Sequence, residues 1–113
     1  MAKMASLVAG NNFLTVFGGT RLLSINGHTS NAAATVGLYY GSLAADVVAG
    51  NLVHTFLLGT AGNVNLDFME GLDFGQPLVQ TASSGEAGLI IVVTANAATF
   101  DLLAEFTAAS PEA

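Results

Sequence analysis

Hydrophobic and polar residues alternate along several short stretches of the chain. The clearest stretch is 100–106, where every second residue is apolar and acids occupy two of the three positions between, with Leu103 as the exception. Residues 63–68 and 36–40 follow the same period of two. That period is typical of a β-strand with one buried face. The run LIIVV at 89–93 is apolar throughout, which predicts a strand covered on both faces.

Four further apolar stretches bring the expected number of strands to about eight. They are FLTVF at 13–17, RLLSI at 21–25, LVHTFLL at 52–58 and PLVQTA at 77–82. Turns rich in glycine and asparagine separate the strands, and Asn26-Gly27 fits a two-residue type I′ hairpin. Short strands spaced by roughly 8–12 residues predict an all-β fold, an antiparallel sandwich or a barrel. In the alanine-rich segment 42–49 a short helix is the alternative.

The two ends of the chain depart from this pattern. Residues 1–12 contain Met4, Leu7 and Val8 but stop at Gly-Asn-Asn. They are interpreted either as a disordered terminus or as an arm that becomes ordered only against a neighbouring subunit. On the arm hypothesis, deleting residues 1–12 leaves the fold intact and weakens assembly. The expected organisation is an N-terminal arm, a β-sandwich domain and a C-terminal tail, at residues 1–12, 13–107 and 108–113.

Low charge separates this sequence from an ordinary soluble monomer. Charged residues make up 9% of the 113 residues, against roughly 25% in a typical globular domain. Hydrophobic residues make up 52%, so a single domain must leave apolar surface in water or cover it with another subunit. Assembly is therefore favoured. The net charge of −6 includes only two cations, Lys3 and Arg21, too few for a nucleic-acid or basic membrane-binding surface.

Several further classes of protein are disfavoured by what the sequence lacks. It contains no cysteine, which excludes disulfides and thiolate metal sites. Its strongest apolar run, GLIIVV at 88–93, is far shorter than the about 20 residues of a membrane-spanning helix. Gly10-Asn11-Asn12 interrupts the apolar stretch of the N-terminus, so we expect no targeting sequence. We also expect no cofactor.

Asp67, Glu70 and Asp73 are the first candidates for a chemical site. Alternation turns Asp67 and Asp73 outward, and Glu70-Gly71 is expected to form a bend between two strands. A catalytic pair of carboxylates needs a pocket that raises one pKa, and a calcium loop needs a denser series of oxygen ligands. We therefore interpret these acids as solubilising charges on a sheet surface.

The remaining candidates are His28, His54, the turn at 18–21 and the pair Tyr39-Tyr40. The histidines lack the spacing of zinc ligands, and the chain has no G-x-S-x-G nucleophile motif. We place His28 in a turn and His54 in a strand. Residues 18–21 lack the lysine and the helix of a phosphate-binding loop. Alternation points Tyr40 inward and leaves Tyr39 exposed, as an interface anchor or a sugar-stacking residue. We predict no catalytic or metal-binding residue.

The succession of these segments resembles small β-sandwich structural proteins of tailed bacteriophages. The stretches that carry the resemblance are VGLYYGS, LVHTFLLGTAGNVNLDF, EGLDFGQPLVQTAS and AGLIIVVTA, at 36–42, 52–68, 70–83 and 87–95. An apolar-Tyr strand, an alternating strand ending in Asp-Phe and a Gly-Leu-x-Phe stretch follow one another, as in capsid cement, or decoration, proteins with jelly-roll-like folds. The resemblance covers residues 13–106. Gln76-Pro77 departs from the Ser/Thr-Gly pair that relatives often carry.

This resemblance implies a non-enzymatic protein on the outer surface of a virion capsid. Such proteins commonly form homotrimers that clamp the major capsid protein against the pressure of the packaged genome, and an arm at 1–12 would suit that task. The implied partners are the major capsid protein and other copies of this chain. The interface residues expected are Met4, Leu7, Val8 and Tyr39. A tail or baseplate component, a carbohydrate-binding module for host adhesion and, last, an enzyme are the alternatives.

Overall fold

The computed structural model of the protein describes residues 3–14, 20–30, 34–41, 44–57, 62–74, 88–94 and 100–108. Within these ranges the backbone forms eight β-strands. The strands are β1 (Lys3–Ser6), β2 (Gly10–Leu14), β3 (Thr20–Thr29), β4 (Thr35–Tyr40), β5 (Leu52–Leu57), β6 (Gly62–Phe74), β7 (Leu89–Thr94) and β8 (Phe100–Ala108). The strand predicted at 77–82 and the tail after residue 108 lie outside the described residues.

The strands form two antiparallel four-stranded sheets that pack face to face. Sheet A has the order β1-β8-β3-β6, and sheet B has the order β2-β7-β4-β5. The pairing is nested, because β1 pairs with β8, β2 with β7, β3 with β6 and β4 with β5. Such nesting is the jelly-roll arrangement of a β-sandwich. The predicted all-β sandwich is therefore confirmed.

Alternate side chains of the strands fill the space between the sheets. The largest fully buried members of this core are Phe74, Leu22, Ile25, Leu38, Leu89, Ile91 and Leu102. Tyr40 packs against the same core, with its ring centroid 5.1 Å from that of Phe74, so its predicted inward orientation is confirmed. Because each strand contributes one face to this layer, the period of two in the sequence corresponds directly to burial.

The structure corrects the predicted N-terminal arm, because residues 3–12 belong to the sandwich. β1 pairs with β8 from Lys3 to Ser6, and β2 pairs with β7. Between these two strands Leu7 is buried in the core, and its N–H donates to the carbonyl of Leu102 at 2.9 Å. The chain crosses from sheet A to sheet B at this point. An apolar side chain at the crossing therefore fills the end of the core of its own subunit.

Asn12, a buried residue of β2, holds this crossing closed. Its Oδ1 accepts a hydrogen bond from the N–H of Val8 at 2.8 Å. Its Nδ2 donates to the carbonyls of Val8, Gly10 and Ile91 at 2.9, 3.2 and 2.9 Å. Gly10 adopts a φ of +95°, which favours glycine in the turn. The Gly-Asn-Asn segment is thus an ordered connection that also attaches β2 to β7.

The hairpin predicted at Asn26-Gly27 is wrong, because both residues lie inside β3. Gly27 instead has a positive φ of +153° inside the strand, a conformation that side chains rarely adopt. In this conformation a Cβ atom would overlap the carbonyl oxygen of Asp101 in β8. Glycine is therefore required by the backbone conformation within the sheet and not by a turn. His28, which the sequence placed in a turn, is an exposed residue of the same strand.

A bulge within β6 replaces the bend predicted at Glu70-Gly71. The strand continues through this segment, but its register against β3 shifts so that residues 68–71 face the single residue Leu23. Met69 and Gly71 have positive φ angles of +47° and +95°. The carboxylate of Asp67 accepts a hydrogen bond from the N–H of Met69 at 3.1 Å, which helps to hold this backbone conformation.

A short helix was the alternative for segment 42–49. Where the structure describes this segment, it forms only short turns. Ala44–Asp46 and Ala49–Asn51 are each one turn of 3-10 helix in the connection between β4 and β5. The Asn51 side chain fixes this connection, because its Nδ2 donates to the backbone carbonyl of Asp46 at 2.9 Å. In the described ranges no helix has the length and hydropathy needed to cross a membrane.

Candidate assembly surface

The outer face of sheet A is polar. Seven of the ten charged residues lie in its strands, namely Lys3, Arg21, Asp67, Glu70, Asp73, Asp101 and Glu105. Asp67 and Asp101 are exposed, in the company of Asn26 and Asn65. The outward orientation predicted for Asp67 is confirmed, whereas the side chains of Glu70 and Asp73 lie outside the described residues. This face is therefore suited to contact with water.

Sheet B has the opposite character. Its four strands contain no Asp, Glu, Lys or Arg within their described bounds, and His54 is their one histidine. The side chains on its inward face belong to the core. Those on its outward face would ordinarily be polar in an antiparallel sheet with one solvated side. Here they carry no charge, and apolar side chains alternate with threonine and asparagine, so the two outer faces of the sandwich differ in charge.

One row of neighbouring residues crosses the outer face of sheet B from edge to edge. Phe13 pairs with Ile90, Ile90 with Tyr39, and Tyr39 with Leu52, so each of the four strands contributes one member. We call these four residues the apolar row. Phe13 is 47% exposed and Leu52 is 37% exposed, while Ile90 is fully buried, so the accessible surface of the row comes from the other three members. The prediction that LIIVV is covered on both faces is confirmed at Ile90.

The ring of Tyr39 lies along the sheet above a glycine. A Cβ atom added at Gly37 would lie 3.1 Å from Cε1 of Tyr39 and 3.9 Å from Cδ1 of Leu52. The absence of a side chain at Gly37 thus makes room for the ring, as aromatic residues commonly do beside glycine in sheets. An exposed apolar surface of this kind is typical of a protein–protein contact.

The interface residues predicted from the sequence have different positions in the structure. Tyr39 belongs to the apolar row and is half-buried. Met4 on β1 and Val8 in the crossing are 62% and 57% exposed, so they stay predicted contact residues at the sandwich surface. Leu7 is 6% exposed and packs in the core, which removes it from the set. These residues do not form one patch by strand register, because Met4 lies in sheet A and Tyr39 in sheet B.

The residues weighed for chemistry do not converge on one site. Asp67 serves the bulge of β6, and His28 lies opposite Asp101 on the outer face of sheet A. His54 lies in sheet B, where its ring contacts that of Phe56 with centroids 4.5 Å apart. Among the residues that the structure describes, no three side chains of the metal-binding types are grouped together.

The sequence reading missed Phe13, Ile90 and Leu52 as surface candidates. Phe13 and Leu52 were assigned to strands, but strand parity alone does not tell whether a face looks toward the core or away from it. Asn12 is not predicted from the sequence either, because Gly-Asn-Asn indicates the end of an apolar segment and not a buried position. A buried Asn directly after Gly in a tight crossing gives no periodic signal in the sequence. Low charge was the one sequence signal that pointed toward an apolar surface.

A cleft of about 320 Å³ opens at the side of the sandwich where the two sheets end in β5 and β6. Phe56, Val64 and Leu66 supply its apolar lining, and Asn63 and Asn65 supply amides. Among the side chains that the structure describes, no acid of sheet A lines it. The cleft therefore extends the uncharged surface of sheet B around the β5 edge.

Comparison with known proteins adds no relative: no family model, no curated protein and no solved structure matches this chain.

Proposed function

We propose that the protein is a non-enzymatic structural protein of a tailed-phage virion, a cement or decoration protein on the outside of the capsid. It binds the major capsid protein and other copies of itself through apolar surface. The resemblance described above implies a homotrimer as the assembled form. A tail or baseplate component would use the same surface, and the two roles differ in the position of the protein in the particle.

The apolar row is the observation that carries this proposal. Seven of the ten charged residues lie in the strands of sheet A, and the described strands of sheet B carry none, so one side of the sandwich favours water and the other favours a partner. In the described part of the chain, the residues considered for catalysis do not lie together in one site. A protein with a large uncharged face and dispersed polar groups is better suited to binding than to chemistry.

The magnitude of this contact suits an assembly repeated by symmetry. Phe13 leaves 47% of its surface in water, and covering it is worth about 2 kcal/mol at roughly 25 cal/mol per Å². A single sheet face spans about 20 Å in each direction, which is small for a stable one-to-one complex. Many copies on a shell would therefore bind by multivalency, with each contact weak on its own.

Binding to bare shells of the major capsid protein tests the proposal. Phe13→Glu places a charge on the apolar row and should weaken binding by at least about tenfold. Asn26→Glu adds the same charge to the outer face of sheet A and should bind like the wild type. Sedimentation of shells with labelled protein measures both variants. Both variants must be folded for this comparison. Failure of the wild-type protein to bind shells contradicts the capsid role.

Carbohydrate binding is the second candidate, because the apolar row carries two aromatic residues on one face. Phe13 and Tyr39 flank Ile90 on neighbouring strands, a spacing on which a sugar ring could stack. On this reading Tyr39→Ala abolishes glycan binding on an array of host-surface glycans. The absence of charged residues in the surrounding strands favours the assembly role, since sugar sites usually add charged or amide partners to the aromatic rings.

A further inference from the structure

The two lateral sides of the sandwich differ in how well they cover the core. At the edge strands β1 and β2 the crossing places Leu7 in the core, where it is buried. At the edge strands β5 and β6, which bound what we call the open side, Phe56, Leu66 and Phe68 pack against the core but stay half-buried. The cleft of about 320 Å³ opens beside them. Core residues at the open side therefore still have apolar surface to cover.

The two most exposed large apolar side chains of the described ranges also belong to β5 and β6. Leu57 of β5 is 71% exposed and Met69 of β6 is 87% exposed. Met69 lies on the bulge of β6 with a positive φ, and the carboxylate of Asp67 accepts a hydrogen bond from its N–H. Bulges commonly re-aim a side chain, and backbone strain is common where a side chain has a role in binding. These features make the open side a candidate contact surface.

We propose that the open side binds an extended, basic segment of a protein partner. The segment pairs with β5, places an apolar side chain in the cleft and directs a lysine or arginine at Asp67. β5 is the last strand of sheet B, and residues 54–57 keep an unbroken register with β4 after the shift at Val53. A further strand can therefore pair with these four residues. The cleft is at the lower end of the roughly 300–1,000 Å³ of small-molecule pockets, which suits the side chains of a bound strand.

The charges around the cleft favour a basic partner. β5 and β6 together contain three acids and no lysine or arginine. Asp67 is exposed and directly follows Leu66, which lines the cleft. The one cation of the neighbouring strand β3 is Arg21, which lies opposite Asp73 at the other end of β6 from the cleft. A second copy of net charge −6 would bring like charges to this side, whereas a cationic segment is attracted to it.

The inference deepens the proposed function and rests on it for the identity of the partner, since the segment would belong to the major capsid protein. The apolar row lies on the outer face of sheet B, and the open side lies at the β5 edge of the same sheet. They are therefore two separate contacts. Main-chain pairing fixes the register of the bound segment, and the basic residue selects against acidic partners.

Binding of synthetic peptides tests the site directly. The probe is a short amidated peptide of alternating lysine and valine, and the matched peptide has glutamate in place of lysine. Fluorescence anisotropy at physiological salt should show the lysine peptide binding at least about tenfold more tightly than the glutamate peptide. Amide hydrogen exchange at residues 54–57 should slow when the lysine peptide is bound, because strand pairing protects backbone N–H groups.

Two substitutions with matched controls locate the contact. Asp67→Asn keeps an oxygen that accepts from the N–H of Met69 but removes the charge, and it should weaken binding of the lysine peptide by at least about threefold. Asp101→Asn removes the same charge from the central strand β8 and should leave binding unchanged. Leu57→Ser should also weaken binding by at least about threefold, since it removes apolar contact area. Val48→Ser, at an exposed position in the connection before β5, should have no effect. Circular dichroism checks that every variant is folded.

The outcomes separate this site from the capsid role. No binding of the lysine peptide, equal binding of the glutamate peptide, or binding that leaves exchange at 54–57 unchanged would overturn the proposal. Slower exchange at 54–57 with rising protein concentration alone would also overturn it, because a second copy would then be the occupant. Binding to shells should be weakened by Asp67→Asn and Leu57→Ser, and unchanged binding by both would exclude the capsid protein as the source of the segment. A protein that binds the peptide but no shells supports the open-side site and contradicts the capsid role.

Discussion

Replacing Asn12 by alanine tests whether the N-terminal segment is part of the folded sandwich. The substitution removes one buried amide that makes four hydrogen bonds, to the N–H of Val8 and to the carbonyls of Val8, Gly10 and Ile91. Three of them close the crossing between β1 and β2. The fourth attaches the crossing to β7, which lies at the centre of the fold. An arm that folds only on a partner would lose none of these bonds in the free protein.

The size of the effect follows from where the partners lie. Val8 and Gly10 are exposed, so water replaces much of what their backbone groups lose. The carbonyl of Ile91 belongs to a buried residue, and losing this buried hydrogen bond costs about 1–3 kcal/mol. With a smaller loss at the crossing, we expect Asn12→Ala to lower the free energy of unfolding by about 2–4 kcal/mol. That is a large part of the roughly 5–15 kcal/mol of a typical domain.

Urea unfolding followed by circular dichroism measures this loss. The midpoint should fall by about 1–2 M for a chain of this size. Asn11→Ala is the matched control, since Asn11 is the exposed neighbour in the same strand, and its stability should stay within about 0.5 kcal/mol of the wild type. Asn12→Asp keeps the acceptor but removes the donors, so it should be at least as damaging. If Asn12→Ala is as stable as Asn11→Ala, the crossing is not part of the fold and the arm hypothesis returns.

Three further substitutions test separate features by the same unfolding measurement. Leu7→Ala should lower the free energy of unfolding by about 2–4 kcal/mol because it empties part of the core. Val8 is the next residue and is exposed, so Val8→Ala should lower it by less than about 0.5 kcal/mol. Equal losses would contradict the burial of Leu7. Gly27→Ala should prevent folding or cost more than about 3 kcal/mol, because its Cβ would overlap the carbonyl of Asp101; near-native stability would show that the strands are further apart. Met69→Gly should stabilise the protein by about 0.5–1 kcal/mol by relieving its left-handed backbone, and a loss would show that the exposed Met69 side chain makes a contact.

Agreement between sequence and structure was best where a strand buries one face. At 36–40, 63–68 and 100–106 the apolar set found by alternation is the set that packs in the core. Gly71 also indicated an irregular backbone in the sequence, but the structure has a bulge within the continuous strand β6 where a bend was predicted. Agreement failed at Asn26-Gly27, because the dipeptide suits a hairpin and a glycine of positive φ within a strand equally well. Only the position of β8 decides between them.

Composition and periodicity alone determined that this chain is an all-β protein with too little charge for its apolar content. They could not determine where the excess apolar surface lies. Phe13, Tyr39, Leu52 and Ile90 come from four distant segments, and of these only Tyr39 is predicted from the sequence to be an exposed interface residue. They become neighbours only through the order β2-β7-β4-β5, which long-range pairing sets. The same pairing made residues 3–12 part of the sandwich, because hydrogen bonding to β7 and β8 is a property of the fold and not of the segment.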